Sequence, residues 1–150
     1  MEFLDIQDVS YDIFHGLLNE YYREGEDADT PQAEIEAFIK YLHELCHSGK
    51  ISGAVCVDEK PVGFVLWNLD VADGAFSNKP GFGTILEIGV SGSARKAGIG
   101  RKLVELAESR MDTDRFYICA YGQAQDFWSR CGYAPSGETA ENGLPIMTKG

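Results

Sequence analysis

The segment from Thr84 to Cys119 constrains the fold more than any other. Thr84 to Val90 is apolar and rich in β-branched residues, as a strand requires. From Gly98 to Met111 the period changes: Ile99, Leu103, Ala107 and Met111 recur every fourth residue with Val104 beside them, the stripe of an amphipathic helix. Arg115 to Cys119 then reads as a short strand. Strand, helix and strand in that order predict two parallel strands joined by a right-handed crossover.

The flanking pattern extends this to a mixed α/β domain occupying residues 1–150. Phe3 to Ile6 reads as a first strand. Ser10 opens a helix whose adjacent stripes are Ile13, Leu17, Tyr21 and Phe14, Leu18, Tyr22. The acidic stretch Glu24 to Asp29 interrupts it at Gly25. Thr30 and Pro31 suit a cap and a first helical position, ahead of the apolar face of Ile35, Phe38, Ile39, Leu42 and Leu45. Gly49 is the expected stop. Ile51 to Val57 and Val62 to Leu69 form a predicted antiparallel hairpin around the polar turn Asp58 to Pro61. A loop follows from Val71 to Gly81. Gln123 to Arg130 reads as a short helix, with terminal strands near Tyr133 and over Leu144 to Met147.

Charge narrows the partners. The chain has a formal net charge of -11, which argues against nucleic acid, since phosphate binding needs a cationic footprint. An acidic surface attracts cationic substrates, although plain solubility explains the charge as simply. Cys46, Cys56, Cys119 and Cys131 form no CxxC pair and the three histidines lack zinc-finger spacing, so no metal is expected. Thiols in apolar stretches fit a reducing compartment. The acidic Met1 to Asp5 does not read as a signal peptide. Val62 to Trp67 falls far short of the ~20 residues of a membrane span. The expected location is cytoplasmic, with no membrane partner.

Against this acidic background, Arg95, Lys96 and Arg101 surround Ala97-Gly98-Ile99-Gly100 at the start of the helix. A helix N-terminus offers N–H groups without intrahelical partners and a positive dipole end. Glycines there let a diphosphate approach the main chain. The pattern GxxxxGK[ST] is absent, and Gly98-Ile99-Gly100 is followed by Leu103 where a dinucleotide fingerprint has its third glycine.

The run Arg95 to Gly100 resembles the [QR]xxGx[GA] motif of the GNAT (Gcn5-related N-acetyltransferase) family. Ala124 to Tyr133 is similar to that family's later motif, a short helix ending in Gly-[Phe/Tyr]. Lys60-Pro61-Val62-Gly63-Phe64 is typical of its hairpin. The resemblance runs over Ile51 to Thr148 by pattern and over the first helices by order. It implies the GNAT fold, a mixed central sheet of about six to seven strands with helices on both faces. It also implies acetyl-CoA, or a close acyl-CoA relative, as co-substrate. The main chain of Arg95, Lys96, Ala97, Gly98, Ile99 and Gly100 would hold the pyrophosphate beside Arg101. Ile88 and Val90 would pair with the pantetheine arm where the fourth and fifth strands splay. The reaction implied is direct acyl transfer to an amine of a small molecule or protein, and homodimers are common in the family.

Direct attack needs a neutral amine, hence a base or water relay. Glu87 is the candidate, a charge among Ile85, Leu86 and Ile88; the plainer role is a solvent-facing or structural carboxylate. Many members carry a tyrosine as general acid where this chain has Trp128. Tyr121, Tyr133 or water could serve instead, or the thiolate could leave unassisted. Trp128 either packs against CoA or fills the core. Cys119 and Cys131 have no nearby histidine to support nucleophilic catalysis. The acidic loop of Glu24, Glu26, Asp27 and Asp29 suits either a cationic acceptor or solvent. Tyr21 and Tyr22 could wall a pocket, yet their stripe places them in a core. Trp128 also motivates a second reading, a non-catalytic acyl-CoA-binding module. A third, a structural partner domain, would leave the cationic glycine turn unexplained.

Overall fold

A computed structural model describes residues 1–25, 27–74, 76–95 and 97–150. The strands are β1 (Glu2–Asp5), β2 (Ser52–Asp58), β3 (Lys60–Leu69), β4 (Gly83–Val90), β5 (Phe116–Cys119), β6 (Ala134–Thr139) and β7 (Pro145–Lys149). The helices are α1 (Tyr11–Glu24), α2 (Gln32–His47), α3 (Ile99–Arg110) and α4 (Gln125–Arg130). The strands form a seven-stranded mixed sheet in the order β1-β2-β3-β4-β5-β7-β6. The chain divides into two compact units, Met1–Leu66 with Glu87–Leu103, and Trp67–Leu86 with Val104–Gly150.

In the first unit, β1 pairs antiparallel with β2, from Glu2↔Val57 to Asp5↔Ala54. Ser10 caps α1 through its hydroxyl, 3.3 Å from the Ile13 N–H. Phe14, Leu17, Leu18 and Tyr22 are buried as the stripe requires, but Ile13 is 37% exposed, so the buried face is narrower than the sequence suggests. His15 on α1 reaches Glu36 on α2 at 2.8 Å. The second helix departs from expectation at its start. Pro31, not Thr30, occupies the N-cap, and its carbonyl accepts from Glu34 and Ile35 at 3.0 and 3.2 Å. Proline lacks an N–H, which a cap does not need to donate. The β2–β3 turn is also tighter than the four residues expected, because Glu59 alone turns the chain with φ of 66°.

Two glycines set how closely this unit packs. A Cβ on Gly63 would stand 3.1 Å from the Gly89 carbonyl oxygen and 3.3 Å from Leu103. One on Gly89 would stand 2.6 Å from the Phe64 ring and 3.0 Å from the Tyr21 ring. Bare backbone on β4 therefore lets the Tyr21 ring lie directly over the strand.

In the second unit, β4 and β5 pair in parallel through Gly83↔Phe116 and Thr84↔Tyr117, as the strand–helix–strand reading requires. These rungs lie at the start of β4. β7 pairs antiparallel with β5, from Phe116↔Lys149 to Cys119↔Ile146, and with β6. Asp70 is buried at the end of β3. Its Oδ2 accepts from the Tyr117 hydroxyl at 2.6 Å and from the Asn78 and Lys79 N–H groups at 2.8 Å each. One carboxylate thus ties the β3–β4 loop to β5. Among the described residues no helix is long and apolar enough to cross a membrane.

Candidate functional site

The residues expected to meet phosphate stand in the first unit. Gly98 precedes α3 with φ of 77°, a left-handed conformation that favours glycine, and nothing lies within 4 Å of where its Cβ would be. The Lys102 N–H donates to the Gly98 carbonyl at 3.2 Å, closing the first turn. The N–H groups ahead of that bond are those a helix leaves without intrahelical partners. Ala97 and Gly98 are exposed, whereas Ile99 is buried and anchors the helix. Lys96 and, in the acidic loop, Glu26 lie outside the described residues.

Arg95 already has two partners. Its Nε donates to the Val90 carbonyl at 3.0 Å, and a terminal nitrogen meets Glu24 at 2.8 Å. Glu24 ends α1, 71 residues from Arg95 in sequence, and no local spacing announces the pair. Both side chains are about half exposed, so the pair itself is worth at most about 1 kcal/mol. The Ser91 N–H donates to the Val62 carbonyl at 2.8 Å, fixing the exit from β4.

Glu87 lies on β4 beside the tyrosine pair. Burial pushes its carboxyl from 4.5 to about 7. Hydrogen bonding from Tyr21 opposes this, the charge of Asp27 adds to it, and the Tyr22 hydroxyl again opposes it. Tyr21 packs edge-on against Tyr22 and Phe64, at ring separations of 5.1 and 5.6 Å. Tyr22 is 5% exposed, and its own acidity is suppressed by burial first and by the Glu87 charge second. Its hydroxyl lies in the field of Glu87, yet among the described residues it meets no partner at full hydrogen-bond geometry. The acidic loop is bolted down by Arg23, which donates to the Asp27 carbonyl at 3.1 Å and to the Thr30 carbonyl.

The sequence weighed Tyr21 and Tyr22 mainly as core. The structure gives them both roles, packing through the rings and facing Glu87 with the polar ends. The available signal was their adjacency: two neighbouring helical positions cannot both point straight into one core.

Tyr121 and Trp128 belong to the second unit. Tyr121 is half-buried and begins the short turn before α4. Trp128 is 6% exposed and packs edge-on against Phe127 and Tyr133, with ring separations of 5.1 and 5.2 Å. That is the environment of a core side chain. The Tyr133 hydroxyl donates to Glu108 at 2.8 Å. Burial pushes the Cys119 thiol up, away from the thiolate a nucleophile needs. Among the described residues no group of three or more His, Cys, Asp or Glu side chains is placed to hold a metal ion.

The model of the Acetyltransferase (GNAT) family matches residues 11–133. No curated protein sequence matches the chain. Among solved structures, a GCN5-related N-acetyltransferase from Ralstonia eutropha superposes with a TM-score of 0.71 at 22% identity, covering 93% of this chain and 96% of its own. Tetrahymena GCN5 gives 0.69 at 13% identity, with 99% and 95% covered. The PaiA N-acetyltransferase of Thermoplasma acidophilum, solved in complex with coenzyme A, gives 0.67 at 16% identity, with 99% of each chain covered. At these identities the likeness is one of fold.

Proposed function

The chain belongs to the GNAT family of acetyltransferases, and on that premise we propose that it moves an acetyl group from acetyl-CoA to a primary amine, with Glu87 as the base. The observation that carries this reading is the Glu87 carboxyl, raised to about 7 on the strand that leads into the glycine turn. A base with pKa near working pH is well matched to taking a proton at neutral pH.

Acetyl-CoA fits the groups present. The open left-handed turn at Gly98, the first-turn N–H groups of α3 and the cations Arg95 and Arg101 suit the pyrophosphate. The main chain of Ile88 and Val90 suits the pantetheine arm, provided Arg95 releases the Val90 carbonyl when phosphate engages it. The co-substrate supplies the activated acyl thioester. Glu87 takes a proton from the incoming amine, whose nitrogen bonds to the acyl carbon. The carbon–sulfur bond breaks, and its electron pair leaves on sulfur. Tyr121 is the candidate that the family resemblance offers for giving a proton to that thiolate, and Tyr121→Phe tests it. Trp128, buried against Phe127 and Tyr133, has no acidic proton to give, so the thiolate takes its proton elsewhere or leaves unassisted.

The test is calorimetric titration with acetyl-CoA of the wild type and Gly98→Trp, followed by an acylation screen over a broad amine panel. Binding to the wild type alone, with turnover that Glu87→Gln abolishes without loss of CoA affinity, is the expected result. Binding without turnover on any amine would overturn the catalytic reading. Equal binding by Gly98→Trp would move the co-substrate away from the α3 turn.

A further inference from the structure

We propose that His43 and His47 form a chelating site for a late first-row divalent cation, with Zn²⁺ as its probe, on the last turn of α2. The site is independent of the acyltransferase reading.

The spacing that excludes a zinc finger suits a helix. His43-Glu44-Leu45-Cys46-His47 has the His-Glu-x-x-His pattern, which on a helix sets two imidazoles one above the other on a single face. α2 runs to His47, and its end is well tied. The Ser48 N–H donates to the Glu44 carbonyl at 2.9 Å, and the Lys50 N–H donates to the Leu45 carbonyl at 3.0 Å. The two histidine rings lie 6.2 Å apart between centroids and 11° from parallel. Four residues of helical rise account for roughly 6 Å of that separation. Tetrahedral zinc, at about 2.0 to 2.1 Å from each nitrogen, needs the two nitrogens about 3.4 Å apart. Tilting the ring edges towards each other covers the difference, and His47 is exposed and has room to turn.

The surroundings set this pair apart from the third histidine. His15 is already taken, its Nε2 meeting Glu36 at 2.8 Å. His43 and His47 make no hydrogen bond or ion pair among the described residues, so each neutral imidazole keeps its lone pair for a metal. His43 is half-buried and held by α1, with the Tyr11 ring edge-on at 4.8 Å and the Phe14 ring at 5.2 Å. One ligand is thus fixed and the other adjustable. Leu45 and Cys46 are buried, while Glu44 is exposed beside the pair and adds negative charge to its field.

Imidazole suits zinc, copper and nickel, whereas magnesium and calcium seek oxygen. Among the described residues no third His, Cys, Asp or Glu completes the set, so water fills the other positions. Hydrolysis by a His-Glu-x-x-His helix needs that third ligand, which leaves this site the role of a clamp. The ion ties the last turn of α2 together where the chain leaves for β2. An ion that binds the folded pair better than the unfolded chain stabilises the native state.

The experiment titrates tag-free, chelator-washed protein with Zn²⁺ and follows the imidazole resonances by NMR, with Mg²⁺ as the control. The His43 and His47 signals should move together up to one equivalent, well beyond any movement of His15, and Mg²⁺ should move neither. The melting temperature should rise by about 3 °C for each tenfold excess of free Zn²⁺ over Kd. His47→Gln changes an exposed side chain and should melt like the wild type without metal, yet weaken Zn²⁺ at least about tenfold through loss of the chelate. His15→Gln should bind Zn²⁺ as the wild type does. Unchanged affinity in His47→Gln, movement of one ring without the other, or no movement of either at millimolar Zn²⁺ overturns the site. Each of those results leaves the acyltransferase reading untouched, because none of its residues takes part.

Discussion

Replacing Glu87 by glutamine should make the protein more stable above neutral pH while it destroys the activity. The carboxyl titrates at about 7 in the fold against an ordinary value of 4.5. Between those values the native state binds a proton that the unfolded chain has released, so stability falls as pH rises through the window. Below about pH 4.5 the carboxyl is neutral in both states and costs nothing; above about pH 7 the burial penalty is complete. At about 1.36 kcal/mol per unit, the shift corresponds to roughly 3 kcal/mol at pH 8 and to under about 1 kcal/mol at pH 5. Glutamine keeps the shape and stays neutral throughout. The stability difference, variant minus wild type, should therefore grow by roughly 2 to 3 kcal/mol from pH 5 to pH 8. For a chain of this length that is about 5 to 10 °C in melting temperature. Urea melts of both proteins across this range measure it, and taking the difference cancels the other titrating groups. The pH profile of wild-type kcat/KM should show a rising limb near 7. A flat difference between the two proteins would show that Glu87 is solvated and would remove the physical basis for its role as base.

Other perturbations follow from the same structure. Burial pushes the Asp70 carboxyl up, but hydrogen bonds from Ser77, Tyr117 and the Asn78 and Lys79 N–H groups outweigh it and hold the group below its usual value. The resulting stabilisation is present above about pH 4 and lost as pH falls through the lowered folded value; Asp70→Asn should cost about 1.5 to 3 kcal/mol at pH 7 and progressively less in acid, as denaturant melts at both pH values would report. Gly89→Ala places a methyl 2.6 Å from Phe64 and 3.0 Å from Tyr21, so it should lose about 1 to 3 kcal/mol of stability and lower kcat by moving Tyr21 off Glu87, read by thermal melts and steady-state kinetics. Glu24→Gln frees Arg95 from its half-exposed pair and should tighten acetyl-CoA binding up to about fivefold at low salt, an advantage that calorimetry should see shrink as salt is added.

What the sequence made legible is what local chemistry and period control. The stripe of Ile99, Leu103, Ala107 and Met111 located α3, and all four are buried. The run of β-branched residues located β4, and the order of elements implied its parallel pairing with β5, which the register bears out. The details that escaped depend on three dimensions. Thr30 and Pro31 are both acceptable at a helix start, and the structure puts the cap at Pro31, next to the Thr30 carbonyl that accepts from Arg23. The tight turn at Glu59 needed a non-glycine residue at positive φ, which propensity argues against. The Arg95–Glu24 pair joins segments with no sequence relation, and the meeting of Glu87 with Tyr21 and Tyr22 is a property of the fold, not of a motif.

The bond from Arg95 to the Val90 carbonyl has a consequence outside catalysis. β4 lies inside the sheet, and a carbonyl at the end of such a strand is an acceptor that costs free energy if it is half-buried and nothing donates to it. Here a bulky, charged and removable side chain answers that carbonyl while the protein waits for its co-substrate. On the proposed binding mode the pantetheine amide takes over as Arg95 turns to phosphate, so the strand end passes from one guard to the next. Arg95→Ala should therefore melt at a lower temperature than wild type without acetyl-CoA, and regain part of that loss when acetyl-CoA is added.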